Sequence, residues 1–290
     1  MLSVNRRASD VRTLVKDWRA TGRRVGFVPT MGALHEGHGA LIRASIEECD
    51  RTIVSVFVNP LQFEHAEDLK SYPRDEKADQ NFIEDLGANA LFLPSAEEMY
   101  PDEPLTIVTQ KGLTAHLDGA ARPGFFDGIL TVVLKLFNMV DPDVAYFGKK
   151  DFQQVAVINR MVTDLNMNVE IRGMPTARDR DGVALASRNK LLTTSAREEA
   201  PRLYEALENF RTRFFDGETD VSRLTEEFVH DLSDLTDVKI DYASVVDPKT
   251  LSLRTEKVEV GDVLAIAVFL GPVRMIDNIT LDSNRRAFYR

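Results

Sequence analysis

Val25-Gly26-Phe27-Val28-Pro29-Thr30-Met31-Gly32-Ala33-Leu34-His35-Glu36-Gly37-His38 decides the fold of this chain. Val25 to Val28 is a short apolar run that suits a buried strand, and from Gly37 to Cys49 the apolar residues Leu41, Ile42 and Ile46 fall at helical spacing. The chain therefore turns from strand to helix between these runs. At such a turn free backbone N–H groups and the positive end of the helix dipole are expected to face whatever lies above the strand's carboxyl end, and an anion suits that place. His35 and His38 are three positions apart and present their rings on one helical face. An imidazole can donate to a phosphate oxygen or carry a proton near neutral pH. Gly32 and Gly37 leave room for a phosphate or nucleoside to approach the backbone.

Outward from this stretch the alternation continues. Thr52 to Val58 reads as a second buried strand, Asp75 to Leu86 as a charged helix, and Ala90 to Leu93 as a short strand stopped by Pro94. Thr106 to Val108 suits another strand, Thr131 to Val140 a helix ended by Asp141-Pro142, Val144 to Phe147 a strand, Asp151 to Leu165 a helix and Val169 to Ile171 a strand. Preceded by an amphipathic helix within Met1 to Ala20, this order predicts an α/β, Rossmann-like doubly wound parallel sheet. Beyond Asn189 the pattern changes to two helices, Ser195 to Phe215 and Val221 to Leu235, followed by strands Lys239 to Val245, Val263 to Phe269 and Met275 to Thr280. The expectation is a larger N-terminal domain over residues 1–176 and a smaller α+β C-terminal domain over 177–290.

The 290 residues, 43% of them hydrophobic, are enough for two cores. Lysine and arginine number 36 against 46 aspartates and glutamates, and the net charge of −10 argues against a general nucleic-acid surface. One cysteine excludes an intrachain disulfide and fits a reducing compartment. The amphipathic start is unlike a secretory signal, and Val263 to Leu270 is too short to cross a bilayer. A soluble, cytoplasmic protein with no membrane or nucleic-acid partner is expected. His-x-x-His also invites a zinc reading, but the metalloprotease pair is spaced four apart around a glutamate and needs a third ligand. Only His65, His116 and His230 remain, so no metal-ligand set is expected.

The His-x-Gly-His pattern at 35–38 is found in nucleotidylyltransferases, and the ten residues Pro29 to His38 resemble the longer signature of the pantothenate synthetases. Three further segments resemble that family in order and spacing: Phe57-Val58-Asn59-Pro60-Leu61-Gln62-Phe63 with Tyr72-Pro73-Arg74, Phe147-Gly148-Lys149-Lys150-Asp151-Phe152-Gln153-Gln154, and the loop Pro175 to Asn189. The resemblance implies ATP-dependent condensation of pantoate with β-alanine through a pantoyl adenylate, releasing AMP and pyrophosphate. Mg2+ would arrive with ATP, the smaller domain would close over ATP, and the chain would form a homodimer through its N-terminal domain. It implies catalytic roles for His35, His38, Lys150 and Arg188, with His38 the proton donor. Nucleotide contacts are implied for Met31, Gly32, Ala33, Leu34, His35, Glu36, Gly37, His38, Gly148, Lys149, Lys150, Asp151, Ala177, Leu185, Ala186, Ser187 and Arg188. Gln62 and Gln154 would orient pantoate.

Residue chemistry agrees with these roles without requiring them. A carboxamide at Gln62, just past a strand, can donate and accept. Lysine at a strand–helix junction offers a mobile charge, and Asp151 can accept from a ribose or cap the helix. Ser187 and Arg188 can hold phosphate through a hydroxyl and a charged fork. Each also reads as an ordinary loop amide, cap or charged linker. Five positions depart from the family pattern: Ala186 stands in place of the first loop serine, Gly39 of a leucine, Glu64 of a glycine, Phe125 of a histidine and Asp118 of a glutamate. Another His-x-Gly-His transferase, or a nucleotide-binding regulatory protein without turnover, are the rival readings.

Overall fold

In the computed structural model, which describes residues 2–64 and 66–282, the apolar run at Val25 becomes an inner strand of a parallel sheet. The strands of that sheet are β1 (Ser3–Asn5), β2 (Val25–Thr30), β3 (Arg51–Val56), β4 (Ala90–Phe92), β5 (Val144–Gly148) and β6 (Glu170–Met174). Their order is β1-β4-β3-β2-β5-β6 and every pairing is parallel. Successive residues of β2 face opposite ways, as a pleat demands. Phe27 meets the ring of Phe137 at 6.4 Å, on helix Phe125–Val140. Val28 joins a core with Leu41, Ile42 and Ile83 from helices Glu36–Glu48 and Glu76–Leu86. Helices thus cover both faces, which is why the strands read as unbroken apolar runs.

Helix Glu36–Glu48 lies close on the sheet because Gly26 has no side chain. A Cβ there would stand 2.2 Å from Ser45 Oγ and 3.0 Å from Cys49 Sγ. Cys49, the single cysteine, is buried with its sulfur 3.5 Å from Tyr146 Oη. The strand order changes direction around β2, whose neighbours are β3 and β5, and open α/β sheets bind ligands beyond the carboxyl ends at such a switch point.

Three local expectations fail for physical reasons. Residues 3–5 form a strand rather than the start of the N-terminal helix, which spans Ala8–Ala20; β1 is only three residues long and is made by pairing with β4, too short to show a period. Thr106 to Val108 is not a strand: the Val108 amide donates to Thr131 Oγ1 at 2.9 Å instead of to a neighbouring strand. Ser195 to Phe215 divides into Thr194–Glu199 and Pro201–Phe215, since Pro201 lacks an amide hydrogen and favours the first turn of a new helix.

The chain forms two compact units. One comprises Met1–Lys111, Arg122–Lys149 and Gln154–Ala177; the other comprises Gly112–Ala121, Lys150–Gln153 and Arg178–Arg290. The second is built on an antiparallel sheet ordered β7 (Val238–Val246), β8 (Val263–Leu270), β9 (Val273–Thr280). Leu264, Ile266, Val268 and Leu270 of β8 pack in one core with Leu203, Leu207 and Phe210 of helix Pro201–Phe215 and with Leu224 and Phe228 of helix Val221–Asp231. Among the described residues no helix is long and apolar enough to cross a membrane.

Candidate active site

Beyond the end of β2 the chain makes a turn that two residues hold in left-handed backbone, Gly32 at φ 82° and Ala33 at φ 50°. For Ala33 this conformation costs about 1 kcal/mol relative to the right-handed one, so neighbours must hold it. The neighbour is Asp79, whose buried carboxylate accepts from Ala33 N at 3.0 Å and from Leu34 N at 2.8 Å. Gly32 is required there by space as well as by φ, because a Cβ would stand 2.8 Å from Asp79 Oδ2.

His35 is the N-cap of helix Glu36–Glu48. Its Nδ1 accepts from Gly37 N at 3.1 Å, and His38 Nδ1 accepts from His35 N at 3.3 Å, a reciprocal capping arrangement. The half-buried rings stack with centroids 4.1 Å apart and planes at 42°. With both Nδ1 atoms accepting, a neutral ring carries its proton on Nε2, so each imidazole holds a donor on the side away from the cap.

This arrangement narrows the expectation of free amides at the turn, since five of them are engaged. Gly32 N donates to Thr30 Oγ1, Ala33 and Leu34 to Asp79, His35 to His38, and Gly37 to His35. Side chains folding back on the loop have taken these hydrogens. Besides any amide outside these five, the turn offers an anion the imidazoles and the positive end of the helix dipole. Glu36 is exposed and pairs with Arg43 at 2.5 Å on its own helix.

After β3 the turn Pro60–Gln62 carries the second motif. Buried Asn59 is its hub: Nδ2 donates to Gly128 O at 3.0 Å and to Gln62 Oε1 at 3.1 Å, while Oδ1 accepts from Leu61 N at 3.3 Å and Tyr100 Oη at 2.9 Å. Burial pushes the Tyr100 phenol up to about 12, so it remains a donor at neutral pH. Gln62 Nε2 lies 2.9 Å from Met31 Sδ, bringing the second motif against the first. After β5, a Cβ on Gly148 would meet nothing within 4 Å, which leaves that edge of the first unit open. Lys149 is exposed, and Gln154 is half-buried on helix Phe152–Asp164.

In the second unit, Lys150 Nζ stands 3.7 Å from Asp151 Oδ1, and Lys150 O accepts from Asn278 Nδ2 at 3.0 Å. The loop expected to serve the nucleotide, for which a charged linker is the plainer alternative, is held by side-chain bonds. Arg178 bonds buried Asp277 at 2.5 and 2.9 Å and lies 3.8 Å over the ring of Tyr204. Asn189 Nδ2 closes the loop onto Ala184 O at 2.9 Å. Leu185, Ala186 and Ser187 are half-buried, and Arg188 is exposed on the short 3-10 turn Ser187–Leu191. Ala177 is half-buried at the end of the first unit.

The model of the family described as pantoate–β-alanine ligase matches residues 3–280. The chain belongs to that family. It is an enzyme, a ligase that joins pantoate to β-alanine. The ligase is similar to a pantothenate synthetase of Caldicellulosiruptor bescii, 44% identical over 280 residues, covering 97% of this chain and 99% of the relative. It is also similar to the crystal structure of pantothenate synthetase from Thermus thermophilus, with a TM-score of 0.91 and 39% identity over 97% of this chain and 100% of that one. A third likeness is the pantoate–β-alanine ligase of Francisella tularensis, solved with β,γ-ATP and β-alanine: TM-score 0.80, 33% identity, 97% and 98% covered. The Rossmann-like parallel sheet with its smaller antiparallel partner is the fold of these structures.

The positions where the ligase departs from the family pattern have identifiable surroundings. A Cβ on Gly39 would stand 3.1 Å from Phe82 Cζ, so glycine admits an aromatic side chain where a leucine would crowd it. Phe125 lies 3.6 Å beneath the Arg122 guanidinium. Asp118 is buried and bonds Arg274 Nη2 at 2.7 Å. Ala186 is the N-cap of its 3-10 turn and supplies no side-chain bond. Glu64 is exposed, and His65 lies outside the described residues. Asp79 and Asn59 are the residues that sequence reasoning missed. Asn59 sits inside a quoted motif, and Asp79 shares a helical stripe with buried Ile83, a spacing that signals burial.

Proposed function

We propose that the ligase works through a pantoyl adenylate and that the imidazoles of His35 and His38 stabilise its formation. A carboxylate is a poor acyl donor until one oxygen becomes a leaving group. A pantoate oxygen attacks the α-phosphorus of ATP, the bond from that phosphorus to the bridging oxygen breaks, and pyrophosphate departs. Negative charge rises on the phosphate oxygens in this step, and preorganised donors aimed at developing charge are usually the largest catalytic contribution. The observation carrying this reading is the pair of stacked rings whose Nδ1 atoms are locked by the cap, which places the proton of a neutral ring on Nε2. His38 acts as the proton donor. Met31 to His38, Gly148 to Asp151, Ala177 and Leu185 to Arg188 serve the nucleotide, with Lys150, Ser187 and Arg188 meeting the triphosphate. Gln62, fixed by Asn59, and Gln154 orient pantoate.

The neutral amine of β-alanine then attacks the acyl carbon, AMP leaves and the amine proton is lost to solvent. Positioning supplies much of this second rate. We assign Mg2+ to the Mg–ATP substrate, since this ion is usually held by substrate phosphates and few protein groups. Residues 1–176 bind nucleotide and pantoate, and 177–290 close over ATP. A homodimer formed through the N-terminal domain and a cytoplasmic location complete the reading, supported by the family resemblance and the composition.

The test is pyrophosphate release from Mg–ATP with pantoate, with and without β-alanine, and mass identification of the product. Sustained turnover only with both acid and amine, yielding pantothenate, is expected. Equal turnover without amine overturns the ligase mechanism, and ATP binding without turnover overturns the enzyme reading.

A further inference from the structure

We propose that Asp79 is a positioning residue for adenylation, an internal anion that occupies the turn's own anion-binding concavity and thereby aims the two imidazoles. Successive backbone N–H groups in left-handed and neighbouring conformations converge into a nest that accepts an anion. Gly32 and Ala33 have positive φ, and the amides of Ala33 and Leu34 converge on the two oxygens of one carboxylate at 3.0 and 2.8 Å. That carboxylate is only 4% exposed and comes from a different helix, Glu76–Leu86. It therefore ties the turn to a rigid element across 45 residues of chain. Leu34 is bonded directly to His35, whose amide orients His38 and whose ring caps the next helix. Asp79 consequently fixes the backbone leading into His35, whose amide in turn meets the His38 ring. The carboxylate also fills the place where a substrate phosphate would otherwise compete for the amides of Ala33 and Leu34.

The inference rests on the adenylating role of the imidazoles, and its test separates the two. In Asp79→Asn one oxygen still accepts from one amide, but the new –NH2 faces the other donor and the turn loses half its anchor. Pantoate-dependent pyrophosphate release is expected to fall about tenfold or more, as misplacement of a catalytic group does, while the KM for β-alanine stays unchanged. Imidazole 15N spectra of His35 and His38 give a readout independent of activity: Nδ1 as acceptor and Nε2 as protonated nitrogen in the wild type, a mixture of tautomers in the variant. In Asp79→Ala, formate restores part of the lost rate by entering the emptied nest. A folded Asp79→Asn enzyme with wild-type turnover and spectrum overturns the proposal. So does a rate loss proportional to unfolded protein with the spectrum of the folded fraction unchanged. If wild type lacks pantoate-dependent turnover, the adenylation reading fails and the assignment of Asp79 to that step is overturned with it; the 15N spectra then show only whether Asp79 orients the rings.

Discussion

Gly128→Ala probes whether the turn bearing Gln62 must sit where helix Phe125–Val140 puts it. In the helix interior alanine is favoured over glycine by about 1 kcal/mol, so propensity alone predicts a more stable protein. Packing predicts the reverse: the new Cβ would lie 2.3 Å from Leu61 O, 2.6 Å from Leu61 C and 2.9 Å from Gln62 N. These three backbone atoms cannot swing aside as a side chain does, and the contact must open by about 1 Å to reach ordinary separation. The helix is held by Phe137 between Phe27 and Phe147, each ring pair at 6.4 Å, so the turn yields. Overpacking of this kind costs about 1–3 kcal/mol, which offsets the propensity gain and leaves stability near or modestly below wild type. Retreat of the turn also stretches the 3.0 Å bond from Asn59 Nδ2 to Gly128 O, and with it the hold on Gln62. A displacement of about 1 Å at a substrate-orienting group costs on the order of 10²-fold in rate. Steady-state kinetics with pantoate varied at saturating Mg–ATP and β-alanine, paired with thermal melts, are the assay. The expected result is a folded enzyme with kcat/KM for pantoate reduced by about that factor. A stabilised variant with wild-type pantoate kinetics would refute the reasoning.

Removing the His38 ring by His38→Ala should leave circular dichroism unchanged and nearly abolish adenylate formation; wild-type-like turnover contradicts the donor role. Ala186→Ser supplies an N-cap hydroxyl that the extended residue at φ −148° lacks, a change worth about 1 kcal/mol to the turn. Its KM for ATP should fall several-fold, and an unchanged or higher KM removes the nucleotide-loop assignment. The Glu48 carboxyl is held below its ordinary value of 4.5, first by the hydrogen bond from Arg172. A depressed folded value means that this contribution is fully present above the unfolded value and is lost as pH falls through the folded one. Glu48→Gln should therefore melt below wild type at neutral pH, with the gap closing below pH 4.5; a gap independent of pH would exclude the pairing as its source.

The strand–turn–helix at Val25 to Glu48 was legible because everything that makes it is local: an apolar run, glycines at the turn and helical spacing beyond. The same holds for β5 and the helix after Asp151. What escaped depends on partners distant in sequence. β1 exists through β4, and the apparent strand at Thr106 finds a helix hydroxyl instead of a neighbouring backbone. The most consequential departure concerns five amides of the turn, those of Gly32, Ala33, Leu34, His35 and Gly37. Their number and direction follow from local geometry, but whether they remain open is settled by Asp79, one acid among several on a charged helix, and by imidazoles whose rings fold back. Asn59 similarly becomes a hub only when Tyr100 and Gly128 arrive from elsewhere in the chain.

Cys49 lies buried beside Tyr146, and burial pushes its thiol pKa up, so at neutral pH it stays protonated and closed to electrophiles. The native chain thus already provides the silent background that labelling chemistry ordinarily requires mutagenesis to create. Cysteines introduced at the exposed Lys16 of the first unit and Lys249 of the second would be the reactive thiols, ready for a donor–acceptor dye pair. The separation of the two units then becomes a distance that can be followed molecule by molecule as nucleotide is added.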